Sequence, residues 1–121
     1  MGTPRHILLI DDESSVLSAL KLVLKVLGHQ VREFSNPLEA LECLKSDPSL
    51  DLILCDLKMP VMNGIQFLEA ARQAGVTTPF FLMSGHAVEQ DVAKAKALGA
   101  AGFLGKPFTP QQLTALLESI S

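Results

Sequence analysis

Short apolar runs punctuate the chain at Ile7–Ile10, Val31–Phe34, Leu52–Cys55, Pro79–Met83 and Ala101–Leu104. Each is rich in branched or aromatic residues, is too brief for a buried helix, and reads as a strand. Between them the apolar positions recur at helical rather than alternating spacing, which is the rhythm of repeated βα units. The pattern predicts one α/β domain: five parallel strands joined by helices that cover both faces of a doubly wound sheet.

The helical segments carry their own boundaries. Val16, Leu20, Val23, Leu24 and Leu27 fall on one face of the first, which Gly28 ends. Asn36-Pro37-Leu38-Glu39 supplies a cap, a proline at the first helical position and an acid at the third, so the second helix starts there. The third is expected to begin near Asn63-Gly64 and to bury Ile65, Phe67, Leu68 and Ala71; the fourth spans Val88 to Leu98 and stops at Gly99. Thr109-Pro110-Gln111-Gln112 opens the last helix, whose Leu113, Leu116, Leu117 and Ile120 form a stripe. No linker, low-complexity tract or second apolar cluster interrupts this rhythm, so one domain accounts for residues 1–121.

Composition narrows the function. A chain of 121 residues buries about two thirds of its unfolded surface, enough to fold alone. The formal charge of −3 argues against a general nucleic-acid footprint. Val16 to Leu27 is broken by Lys21 and Lys25 and is too short to span a bilayer. Ile7–Ile10 is shorter than a signal-peptide core, and His6 stands where a myristoylation motif needs Ser or Thr, so a cytoplasmic protein is expected. Cys43 and Cys55 lack any CxxC or metal spacing and read as buried, reduced thiols.

In a parallel α/β sheet, ligands bind outside the carboxyl ends of the strands. Asp11 and Asp12 follow the first predicted strand, Asp56 the third, Ser84 the fourth and Lys106 the fifth, so all five share one rim. Two like charges about 4 Å apart repel by roughly 4 kcal/mol at an effective dielectric of 20, so the acids call for a cation. Clustered oxygens with open positions suit Mg²⁺, and Lys106 adds a fixed positive charge. An aspartate so placed can attack phosphorus while metal and lysine neutralise the phosphoryl oxygens. Ser84 can hydrogen-bond such an oxygen, and Gly85 leaves room for the group to enter. Taken singly, an Asp-Asp pair is usually a turn or cap, Lys-Pro a loop and Ser-Gly a turn. The combination at four strand ends, in this order, is what points to phosphoryl chemistry.

Four stretches, Leu8-Leu9-Ile10-Asp11-Asp12-Glu13, Asp56-Leu57-Lys58-Met59-Pro60-Val61-Met62-Asn63-Gly64, Met83-Ser84-Gly85 and Gly105-Lys106-Pro107-Phe108, resemble the receiver domains of bacterial two-component response regulators. The likeness covers essentially the whole chain. It implies a flavodoxin-like (βα)5 fold with strand order 2-1-3-4-5 and a single receiver domain with no output domain. It implies that Asp56 is the phosphoacceptor, that Asp12 and Asp56 contact Mg²⁺, and that Asp11 does so directly or through water. The backbone carbonyl of Lys58 would be a further ligand. Lys106 would pair with the acids or the phosphoryl group, and the Lys106–Pro107 bond would be cis. Phosphate would come from a phosphohistidine on a sensor histidine kinase or phosphotransfer protein. Ser84 and Phe103 resemble the family's switch pair, hydroxyl moving toward the phosphoryl group and ring turning inward. The fourth helix, fifth strand and fifth helix would face a downstream protein, an output domain or a second copy.

Two positions depart from the family's commoner residues: Ser84 stands for Thr, and Phe103 for Tyr, which removes a ring hydrogen bond. These leave the site chemistry intact and bear on the signalling face. His86 could lie over the phosphoryl group, although a histidine there more often faces solvent; His6 and His29 are assigned no chemistry. The expected activity is confined to the protein's own phosphorylation and dephosphorylation, so it is not read as an enzyme. One alternative is a receiver cut from a hybrid kinase or a longer transcriptional regulator. A Mg²⁺-dependent aspartyl phosphatase would need Asp-x-Asp-x-Thr after the first strand, where Asp11-Asp12-Glu13-Ser14-Ser15 stands. A flavin or nucleotide binder would need a Gly-rich phosphate loop, and a phosphate-independent relic would not need the acids and lysine.

Overall fold

A computed structural model describes residues 4–86 and 88–120. Along the chain run β1 (His6–Ile10), α1 (Ser14–Val26), β2 (Gln30–Phe34), α2 (Pro37–Ser46), β3 (Leu52–Asp56), α3 (Gly64–Gln73), β4 (Phe80–Ser84), α4 (Glu89–Ala97), β5 (Gly102–Gly105) and α5 (Pro110–Ser119). The strands form one sheet in the order β2-β1-β3-β4-β5, and every pairing is parallel. This is the expected flavodoxin-like arrangement.

Side chains on a strand alternate faces, and each inner strand therefore feeds two cores. Leu8, Ile10, Ile53, Cys55, Phe80 and Leu82 point to the side covered by α2, α3 and Ala95 of α4. Ile7, Leu9, Leu52, Leu54, Phe81 and Met83 point to the side covered by α1 and α5. Burial on both faces is why these strands read as unbroken apolar runs. The edge strand β2 carries Gln30, Arg32 and Glu33 exposed.

Capping followed the sequence closely. Asn36 Oδ1 accepts from the Leu38 N–H at 2.9 Å, and Thr109 with Gln112 forms a reciprocal capping box at 3.1 and 2.8 Å. Asn63 and Gln66 form the same box at the start of α3, at 2.8 and 2.9 Å. In α1, Leu17 joins Leu20 and Leu24 as the buried residues, with Val16 and Val23 packed beside them. Leu27, expected on that face, is 42% exposed because it is the cap residue beyond the last turn, where the chain bends into Gly28 at φ +94°. Cys43 and Cys55 are both free and buried. No helix among the described residues is long and apolar enough to cross a membrane.

Candidate active site

The carboxyl ends of β1, β3, β4 and β5 bring the five rim residues together. Asp56 and Ser84 are the last residues of β3 and β4 rather than the first beyond them, since the ladder extends to Asp56↔Met83 and Ser84↔Gly105. Asp11 and Lys106 directly follow their strands. Asp11 is fully buried, Asp56 is 6% and Ser84 8% exposed, and Asp12 faces solvent.

Backbone hydrogen bonds fix this rim. The Lys106 N–H donates to Ser84 O at 2.8 Å and the Leu57 N–H to Met83 O at 2.8 Å, which tie β3 and β5 to the end of β4. The Gly64 N–H donates to Leu57 O at 2.8 Å, so α3 begins directly beneath the end of β3. A Cβ at Gly64 would stand 2.5 Å from Asp56 O and 2.5 Å from Leu82 Cδ2, closer than atoms can approach. Only glycine fits there, a role the sequence signals through Asn-Gly without revealing the contact.

Charge is arranged around one ammonium. Lys106 Nζ donates to Asp11 Oδ2 at 2.7 Å and lies 3.2 Å from Asp56 Oδ1. The other oxygen of Asp11 accepts from the Glu13 N–H at 3.0 Å, which orients the carboxylate. Asp11, Asp12 and Asp56 each offer an oxygen, all within 4.8 Å of one another. Burial, then the neighbouring Asp11, pushes the Asp56 carboxyl up to about 6 despite Lys106. For Lys106, burial works against the charge, but the Asp11 hydrogen bond and both carboxylates outweigh it and raise the pKa. The Cys55 thiol, beneath Asp56, is pushed well up by burial and by both acids, so it is not a nucleophile there.

The remaining candidates stand around this centre. Ser84 Oγ accepts from the His86 N–H at 3.0 Å, which leaves its own hydrogen to donate. His86 is exposed, and a Cβ at Gly85 would meet open space. Lys58 lies two residues past Asp56 with its side chain exposed. Phe103, on β5, is half-buried against the core beneath α3 and α4. The Lys106–Pro107 peptide bond is cis. His6 and His29 sit at the other end of the sheet, His6 Nδ1 bonded to Ser49 Oγ at 2.7 Å and His29 Nδ1 accepting from the Arg5 N–H at 3.0 Å.

Two features beside the rim had no clear sequence signal. An apolar groove of about 440 Å³ runs between α1 and the start of α5, lined by Val16, Ala19, Val23, Pro107 and Phe108, and reaches Lys106. In the β3–α3 loop, Val61 has φ +73° and is 83% exposed, with the Met62 N–H donating to Pro60 O at 2.8 Å. This is a γ-turn of the strained kind, unusual for a β-branched residue.

The pattern that defines the response regulator receiver domain matches residues 7–118. The two-component response regulator PprB of Pseudomonas aeruginosa is 33% identical over 96% of this chain and 44% of its own length. The transcriptional regulatory protein CpxR of Escherichia coli is 38% identical over 94% of this chain and 48% of its own. The chain thus spans about half the length of these regulators. Among solved structures, the chemotaxis response regulator CheY4 of Vibrio cholerae aligns with TM-score 0.88 and 30% identity, covering 98% of this chain and all of that one.

Proposed function

Because this chain belongs to the response regulator receiver domain family, we propose that it is a Mg²⁺-dependent phosphorylation switch in which Asp56 is the phosphoacceptor. The observation that carries this reading is a buried carboxylate, Asp56, 3.2 Å from the Lys106 ammonium and within 4.8 Å of the oxygens of Asp11 and Asp12. Three carboxylates face one ammonium, and burial first, with the neighbouring Asp11 charge after it, raises the pKa of Asp56 despite Lys106. Such a set of hard oxygen donors fits Mg²⁺. Asp11, Asp12 and Asp56 would hold it, with the Lys58 carbonyl as a further donor; when bound, it neutralises charge on the phosphoryl oxygens.

The chain's residues then divide the work. An Asp56 carboxylate oxygen attacks phosphorus in line, a P–O bond forms, and the P–N bond of a partner's phosphohistidine breaks with its electron pair returning to the imidazole. Lys106 holds the carboxylate and balances the added charge; Ser84 donates to a phosphoryl oxygen. Water later attacks phosphorus, releasing phosphate and restoring the carboxylate. Chemistry is thus confined to the protein's own modification. The groove leading to Lys106 offers an apolar seat for the phosphodonor protein, which has to bring its histidine to this rim.

The phosphoryl group adds about −1.5 to −2 charges and three acceptors. Ser84 responds first and Phe103 follows inward, so the α4–β5–α5 face changes for a downstream protein, an output domain or a second copy. The formal charge of −3 supports action without direct nucleic-acid contact, and the reading places that action in the cytoplasm. Incubation with acetyl phosphate and Mg²⁺ tests the reading by intact mass. One labile phosphoryl adduct, lost in Asp56→Asn and in excess chelator, is expected; no adduct, or sustained turnover of phosphoesters, would overturn it.

A further inference from the structure

Arg72, in the last turn of α3, spreads its guanidinium over four backbone carbonyls. Nη1 donates to Val76 O at 2.9 Å and to Thr78 O at 3.2 Å, in the connection to β4. Nε donates to Leu98 O at 3.1 Å and Nη2 to Gly99 O at 3.1 Å. The last two acceptors lie at the C-terminal end of α4, where unpaired carbonyls carry the negative end of the helix dipole and a cation is stabilising. A planar fork holds several acceptors in fixed positions, which a lysine ammonium does not.

The two ends of α4 are held very differently. At its C-terminal half Ala95 is fully buried and Leu98 packs against the core. At its N-terminal end the cap residue, Val88, makes no side-chain bond and is 46% exposed, whereas α2, α3 and α5 each begin with a side-chain cap. Glu89 and Gln90 are exposed. That weakly held end lies only a short loop beyond Ser84, while the clamped end lies on α3.

We infer that Arg72 is a positioning residue that makes the C-terminal end of α4 a fixed pivot, so that a change at Ser84 is delivered as a swing of the helix's N-terminal end. The inference rests on the switch reading above and adds the direction of its output. α4 contributes its N-terminal turn to the changing surface, and its C-terminal turn stays with the α3 scaffold.

Amide hydrogen exchange, read residue by residue with and without acetyl phosphate and Mg²⁺, tests this on the full chain. The Asp91 and Val92 amides, bonded to Val88 O, report the N-terminal end; those of Leu98, Gly99 and Ala100, bonded to Ala95 O and Lys96 O, report the other. Phosphorylation is expected to change exchange at Asp91 and Val92 by about tenfold or more and to leave the second group within about twofold. In Arg72→Met, the second group is expected to exchange about tenfold faster before any phosphorylation, with Ile53 and Leu54 of β3 little changed. Phosphorylation then alters both ends alike. Arg72→Lys, which keeps the charge without the fork, should fall between.

Equal responses at the two ends of the wild-type helix, or an unmoved N-terminal end in protein carrying the adduct by mass, would overturn the pivot. So would unchanged Leu98 and Gly99 amides in Arg72→Met. Should Arg72→Met not fold, the wild-type comparison and Arg72→Lys decide. Absence of the adduct would instead count against the switch reading, and the unphosphorylated comparison would still judge the clamp.

Discussion

Removing the charge of Asp56 should stabilise the metal-free protein. Each pKa unit is worth about 1.4 kcal/mol, so a rise from 3.8 to about 6 means that ionised Asp56 weakens the fold by about 3 kcal/mol at neutral pH. The folded chain binds this proton more tightly than the unfolded one, so the wild type is at its best here below about pH 4. It loses that advantage as pH rises through about 6. Asp56→Asn keeps the shape of the protonated acid and forgoes the contact to Lys106, which retains Asp11 at 2.7 Å. The expected gain is therefore about 2 to 3 kcal/mol at pH 7.5, shrinking toward zero near pH 4. Urea unfolding in chelator across that range checks it, with equal m-values required. A variant no more stable than wild type at pH 7.5, or a difference that does not grow with pH, would refute the electrostatic argument. Saturating Mg²⁺ should narrow or reverse the gap, since an ion at a hundred times its Kd adds about 2.7 kcal/mol to the wild type alone.

Further substitutions probe the supporting structure. Gly64→Ala drives a methyl against Asp56 O and Leu82 and should destabilise by about 2 kcal/mol or more in thermal unfolding. The same shift of the β3 end should slow phosphorylation by about tenfold or more in an intact-mass time course. Lys106→Ala leaves Asp11 and Asp56 buried without their cation; a loss of about 3 kcal/mol is expected in chelator, partly recovered with Mg²⁺ on urea titration. Val61→Gly relieves a positive φ and should gain about 1 kcal/mol by chemical denaturation; a comparable loss would mean the turn is not strained.

Much of the fold could be read from residue pattern because the physics there is local. Leu52–Cys55 and Phe80–Met83 are buried on both faces, so their strands announce themselves as continuous apolar runs, and the caps at Asn36, Asn63 and Thr109 need only nearby residues. The rim acids, Ser84 and Lys106 were legible because each sits at a strand end, and topology alone gathers such ends. Leu17 was missed for Leu27 because both fit a helical stripe and only the chain's turn at Gly28 separates them. Which acid Lys106 grips more closely, the steric demand at Gly64 and the two carbonyls of Leu98 and Gly99 under Arg72 depend on distances between remote segments. A sequence pattern does not carry those.

The claim beneath the rest is that residue 56, among its neighbours at one end of the sheet, is where phosphorus becomes bonded. Borohydride reduction of protein treated with acetyl phosphate converts an aspartyl phosphate to homoserine, and fragment masses then locate it. Homoserine at position 56 alone, formed with Mg²⁺ and not in chelator, is the predicted result. Homoserine at position 11 or 12, or at none of the three, would contradict it.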